Sequence, residues 1–154
     1  MVKLHIYNTM TRQREPFEPI EPDHVRMYSC GPTVYDYIHL GNARAFVVPD
    51  IIKRYLRFLG YRVTHVQNIT DIADKIQRAQ EEGRTFEEVV DEFSAAYFED
   101  LDALGCVRPD VNPKASEHIP AMITMIEALI EKGLAYVSEG DVLYSVNEFA
   151  EYGS

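Results

Sequence analysis

Between Tyr28 and Phe46 the chain reads "YSCGPTVYDYIHLGNARAF", which brings a thiol, an imidazole and two glycines within a dozen residues. Cys30 ends one apolar run, and His39 and Gly41 immediately precede the next, a helical one. A second polar cluster, "NITD" from Asn68 to Asp71, follows the next strand-like segment. In an open parallel sheet, ligands bind in the crevice at the carboxyl ends of the strands, where helices begin. A helix starting near Asn42 would offer free N–H groups and a positive dipole end to a phosphate, and Gly41 would let backbone and ligand come close. His39 could donate a hydrogen bond to a phosphoryl oxygen, more strongly as charge grows there. Read together, these residues handle a nucleotide. Singly, each has an ordinary role: Cys30 as a small buried apolar residue, His39 as a helix cap, and Thr70 or Asp71 as the N-cap of the next helix.

Residues 2–7 alternate enough for a short strand, and a polar, proline-punctuated connection leads to a second strand at 25–30. Val47, Val48, Ile51, Ile52, Tyr55, Leu56 and Leu59 recur at helical spacing over 42–59, with Gly60 placed for a left-handed C-terminal cap. Pro49 falls inside that helix, where it removes a hydrogen bond and favours a kink. Residues 61–68 read as a strand, so strand, helix and strand make a right-handed βαβ unit. Helices are expected over about 71–82 and from Thr85 to Leu104, the latter opened by a Thr85–Glu88 capping box and closed by Gly105. "VRPDVNPK" reads as a linker, about 116–132 as a helix with Pro120 in its first turn, and "AYVSEGDVLYSV" as a hairpin around 139–141.

Composition bounds the class. The 154 residues are 46% hydrophobic and 26% charged, with two widely spaced cysteines, which suits a globular chain with reduced thiols. No run approaches the roughly 20 apolar residues of a membrane span, and the start lacks a secretory signal, so the cytoplasm is the expected location. The net charge of -10 argues against broad nucleic-acid binding by this segment. Residues 1–68 carry nine Lys/Arg against six Asp/Glu, so the anionic ligand is expected in this half.

"YSCGPTVYDYIHLGNARAFVVPDIIKRYLRFLGYRVTHVQNITDIADKI" closely resembles the N-terminal region of the cysteinyl-tRNA synthetases, class I aminoacyl-tRNA synthetases. "HLGN" matches that family's version of the HIGH signature, and the likeness continues through "RPDVNPKASEHIPAMI" and "GDVLYSV" to "YG". The resemblance implies an α/β fold: part of a Rossmann-type, HUP-like parallel sheet with helices over 1–110, then the helical and hairpin start of a connective region over 111–154. It implies that ATP, with Mg²⁺, and L-cysteine form cysteinyl adenylate, and that the cysteinyl group passes to tRNA(Cys). His39, Gly41 and Asn42 would then bind ATP, with His39 and Asn42 catalytic. Cys30, Gly31, Thr33 and Thr70 would contact cysteine, with Cys30 also a Zn²⁺ ligand.

Zinc makes chemical sense, because ordinary contacts separate cysteine from serine poorly and Zn²⁺ prefers a thiolate. The remaining zinc ligands, the KMSKS loop and the tRNA-binding domains of the family fall beyond Ser154. This polypeptide by itself is therefore expected to be inactive, to bind zinc weakly and to self-associate through uncovered apolar surface. Ala73 departs from the family's usual "TDIDDKI", and Pro49 from a good helix former. A related cysteine ligase of mycothiol synthesis and a non-catalytic nucleotide- or partner-binding remnant are the alternative readings.

Overall fold

The computed structural model describes residues 4–74, 76 and 83–153, which form two compact units: 19–117, and 1–18 with 118–154. In the unit of residues 19–117, β3 (His24–Ser29) and β4 (Arg62–Gln67) pair in parallel, from His24 opposite Arg62 to Ser29 opposite Gln67. The helix α1 (Leu40–Phe58) makes the crossover, with Leu59 as its C-cap and Gly60 at φ 96°. The expected strand–helix–strand unit is therefore present, in an α/β fold.

Residues 110–115 differ from the linker reading. Gln67 N–H donates to Val111 O at 3.0 Å and Ile69 N–H to Pro113 O at 2.8 Å, while Ala115 N–H donates back to Ile69 O at 3.1 Å. Parallel bridges Val66–Val111 and Ile69–Lys114 extend the sheet along the free side of β4. One proline and three polar residues hide this segment from a strand pattern, because the sheet takes its main-chain groups and not an apolar face.

The face that α1 buries also differs from its apolar stripe. Ala43, Phe46, Asp50, Lys53 and Leu56 are buried, whereas Val48, Ile51, Ile52 and Tyr55 are exposed. Specific polar bonds make this inverted face possible. Asp50 accepts from Val107 N–H at 2.9 Å and from Arg54 Nε at 2.7 Å. Lys53, 0% exposed, donates to Arg108 O at 2.9 Å and pairs with Asp110 at 3.0 Å. Both residues thus bind the 105–110 segment onto the helix. A charge without such partners would not be buried there.

The helix α2 (Phe86–Ala103) carries the expected box: Glu88 N–H donates to Thr85 Oγ1 at 3.2 Å, and Thr85 N–H to Glu88 Oε2 at 2.9 Å. Its inner face forms two apolar clusters. Val34, Ile69, Ile76, Val89 and Val90 make one, with Ala73 packed against it; Phe46, Tyr97 and Leu101 make the other, with Ile38 and Cys106 at its margin. Val34 and Ile38 pin the loop between β3 and α1, and burying a side chain such as Val34 contributes about 2 kcal/mol. The helix expected over 71–82 lies mostly outside the described residues. The Asp71 carboxylate accepts from Ser116 N–H at 2.9 Å and from the Ser116 hydroxyl.

The unit of residues 1–18 and 118–154 has an antiparallel pair, β1 (His5–Asn8) with β2 (Gln13–Pro16), so the polar connection after residue 8 contains a second strand. The helix α3 (Ile119–Glu131) keeps Pro120 in its first turn, and a hairpin joins β5 (Ala135–Ser138) to β6 (Asp141–Tyr144). Glu139 and Gly140, at φ 52° and 94°, form its two-residue turn, as the sequence predicts.

Candidate active site

The segment after β3 and the start of α1 enclose a cavity of about 400 Å³ whose lining includes Cys30, Gly31, Thr33, Asp36, His39 and Asn42. The thiol-bearing strand tip and the start of α1 therefore border one space, as the sequence reading requires. Thr70 is not in that lining; its backbone bridges Thr33, donating to Pro32 O at 2.9 Å and accepting from Val34 N–H at 3.1 Å. Gly41 lines a neighbouring apolar recess with Leu40, Arg44, Val47 and Leu104.

His39 caps α1. Its Nδ1 accepts from the N–H groups of Gly41 and Asn42 at 3.0 and 3.3 Å, and its own N–H donates to Asn42 Oδ1 at 3.2 Å. An acceptor Nδ1 fixes the neutral ring with its proton on Nε2, so the ring presents a donor on its far side. The same bonds correct the expectation of free first-turn amides: Gly41 and Asn42 spend theirs on His39, and Ala43 donates to His39 O at 3.1 Å. Gly41 is explained by this cap. A Cβ there would sit 2.8 Å from His39 Cε1, so the room Gly41 creates is filled by the imidazole.

At the strand tips, Tyr28 hydroxyl and Gly31 N–H both donate to Asn68 Oδ1, at 2.8 and 3.0 Å. Asn68 Nδ2 donates to Thr70 Oγ1 at 3.0 Å. Burial first, and then the neighbouring Cys30 thiol, pushes the Tyr28 hydroxyl above its ordinary pKa. Beneath, Gln67 Nε2 donates to Ser29 Oγ at 2.9 Å and to Cys30 O at 3.2 Å, and Gln67 Oε1 accepts from the Tyr97 hydroxyl. His65 Nε2 reaches Ser29 Oγ at 2.8 Å. Sequence reasoning places Asn68 in the "NITD" cluster at the strand end but misses Gln67, Lys53 and Asp50; polar residues inside apolar periodicity were the available signal.

Cys30 is exposed, and among the described residues no three His, Cys, Asp or Glu side chains gather where a metal could sit. Zinc sites take three or four protein ligands. The residues described do not fit zinc. Cys106 packs against the Phe46–Tyr97–Leu101 cluster and does not itself line the cavity.

A parallel strand–helix–strand edge with a "HLGN" cap at the first crossover is the arrangement of a class I aminoacyl-tRNA synthetase catalytic domain, and residues 16–154 match the family model described as tRNA synthetases class I (C) catalytic domain. The chain belongs to that family. It is 61% identical over 150 residues to the cysteine–tRNA ligase of Neisseria gonorrhoeae, which covers 96% of this chain and 32% of that protein. It is 52% identical over 154 residues to the cysteine–tRNA ligase of Geobacillus thermodenitrificans, covering 99% of this chain and 33% of the relative. This chain thus spans about a third of the length of the curated relatives it matches. In fold it is similar to a putative arginyl tRNA synthetase from Campylobacter jejuni, with a TM-score of 0.65 and 14% identity over 86% of this chain and 40% of that one. Among the described residues no helix is long and apolar enough to cross a membrane.

Proposed function

We propose that this chain is the N-terminal catalytic portion of a cysteine–tRNA ligase, whose connective region, expected from residue 111, opens only after the sheet segment at 110–115. The observation that carries the reading is the cavity shared by Cys30, Thr33, His39 and Asn42, in a chain 61% identical to a cysteine–tRNA ligase. In the proposed reaction a carboxylate oxygen of cysteine attacks the α-phosphorus of ATP, which enters with Mg²⁺ as part of the substrate. The new O–P bond forms as the bond to the β-phosphate oxygen breaks, and pyrophosphate leaves. A hydroxyl of the 3′-terminal ribose of tRNA(Cys) then attacks the cysteinyl carbonyl carbon, and AMP leaves as the ester forms.

His39 Nε2–H is the donor we assign to the phosphoryl oxygens, where charge grows in the transition state. Asn42 holds His39 from the backbone side and lines the same space. Gly41 acts through the cap. Cys30, Gly31 and Thr33 are assigned to the cysteine end of the cavity, and Thr70 to its support.

The test is a hybrid in which these 154 residues replace the matching segment of the Neisseria gonorrhoeae relative. We expect cysteine-dependent ATP–pyrophosphate exchange near the parent's rate, and none with serine. A folded hybrid without exchange, beside an active parent, contradicts the proposal.

A further inference from the structure

We propose that Gln67 and Asn68 are positioning residues whose side-chain amides clamp the Cys30–Gly31 peptide plane from both polar ends and so aim the Cys30 side chain at the cavity. The proposal rests on reading that cavity as the cysteine site. Cys30 O and Gly31 N–H belong to one peptide unit. Gln67 Nε2 donates to the first at 3.2 Å, and Asn68 Oδ1 accepts from the second at 3.0 Å. A carbonyl only accepts and a backbone N–H only donates, so both amide orientations are fixed by the chemistry of their partners.

The other ends of the two amides are also held. Gln67, 1% exposed, spends its second Nε2 hydrogen on Ser29 Oγ at 2.9 Å and its oxygen on the buried Tyr97 hydroxyl. Asn68 is held by Tyr28 and Thr70.

A clamp is needed at this peptide because the regular pairing ends at Ser29 opposite Gln67. Beyond it comes Gly31, whose lack of a Cβ leaves the preceding peptide free to rotate. Glycine is nonetheless obligatory there, since a Cβ would lie 1.7 Å from Asn68 O. Close approach of the two backbones thus demands glycine, and glycine demands an added constraint on the peptide. Rotation of that plane would change the Cys30 backbone torsion and swing its side chain. Two consecutive amides on β4 and just past it supply the constraint.

The experiment is iodoacetamide alkylation of the chain, read by mass spectrometry as the ratio of Cys30 to Cys106 rates. Cys106, part-buried at the Phe46–Tyr97–Leu101 cluster, reports unfolding in the same sample. Gln67→Glu places a carboxylate oxygen against Cys30 O, Gln67→Met keeps the length without a donor, and Asn68→Leu removes the acceptor. We expect each to shift the ratio about fivefold, the equivalent of one lost hydrogen bond, at an unchanged Cys106 rate. Asn68→Asp keeps the acceptor for Gly31 and should stay within about twofold. Ratios within twofold of the parent in Gln67→Met and Asn68→Leu, or an Asn68→Asp as altered as Asn68→Leu, overturn the clamp. The ratio needs no ligand, so its failure is distinct from a failure of exchange in the hybrid.

Discussion

His39 uses its two ring nitrogens for different work. Nδ1 closes the first turn of α1 and Nε2 keeps a proton to offer. The two can be separated, because asparagine caps a helix about as well as any residue while offering no Nε2–H. His39→Asn should leave unfolding free energy within a few tenths of a kcal/mol. The same change should lower pyrophosphate exchange in the hybrid about 100-fold. His39→Ala should lower exchange equally and cost about 1 kcal/mol of stability as well. Urea unfolding alongside exchange kinetics checks both, and equal activity in the Asn variant removes His39 from the chemistry. At Gly31 the expectation is structural. Gly31→Ala forces a methyl onto Asn68 O and should destabilise by about 3 kcal/mol in the same urea measurement.

At the scale of elements, β4 is tied to the 105–110 segment and α1 by an ion-pair cluster in which Lys53 is buried. Asp110 is the hub: it accepts from His65 N–H at 2.8 Å and pairs with Lys53 at 3.0 Å and Arg57 at 3.2 Å. Burial pushes its carboxyl up, but that hydrogen bond and the two cations outweigh burial and hold it below the usual range. Asp110→Ala would strand Lys53 without a carboxylate and should cost about 3 kcal/mol in denaturant unfolding. His65 is held below its ordinary 6.5 by burial first and then by Lys53.

Both shifts give stability the same sign of pH dependence. Below 6.5 the unfolded chain takes up a proton at His65 that the folded chain refuses, so stability falls as pH falls from there. The Asp110 contribution is lost later, as pH drops from the ordinary carboxylate range through its lowered value. Urea midpoints between pH 8 and 5 should decline, and His65→Gln should remove most of that decline. A flat parent profile contradicts the assignment.

Element boundaries were legible where local chemistry sets them: the Thr85–Glu88 box, the positive-φ glycines after α1 and α2, and the Glu139–Gly140 turn. Long-range bonding was not. The third sheet segment at 110–115, the inverted face of α1 and the Gln67–Asn68 amides depend on partners tens of residues away, which no local pattern encodes. His39, Asn42 and Cys30 are legible because they sit at strand and helix ends, whereas the backbone pairing of Thr70 with Thr33 is long-range and leaves no local mark.

Over the whole molecule, two properties stand out. Charge is divided, with residues 69–154 carrying six Lys/Arg against nineteen Asp/Glu, which leaves the cavity in the less acidic half. Apolar surface is abundant: Ile51 and Phe58 on α1 are 58% and 82% exposed, beside Val48, Ile52 and Tyr55. Exposed patches of this kind mark surfaces that another body covers. The chain should therefore associate with itself, its sedimentation coefficient rising with concentration. A monodisperse monomer across that range sinks the expectation.

In the proposed reading the Cys30 strand tip and the His39 helix cap serve one ligand. Titrating the isotope-labelled chain with a non-hydrolysable cysteinyl-adenylate analogue, and following the Gly31 amide and His39 ring resonances by NMR, tests it directly. Both resonances are expected to shift along one saturation curve. Movement of only one of them, or of neither at saturating analogue, contradicts it.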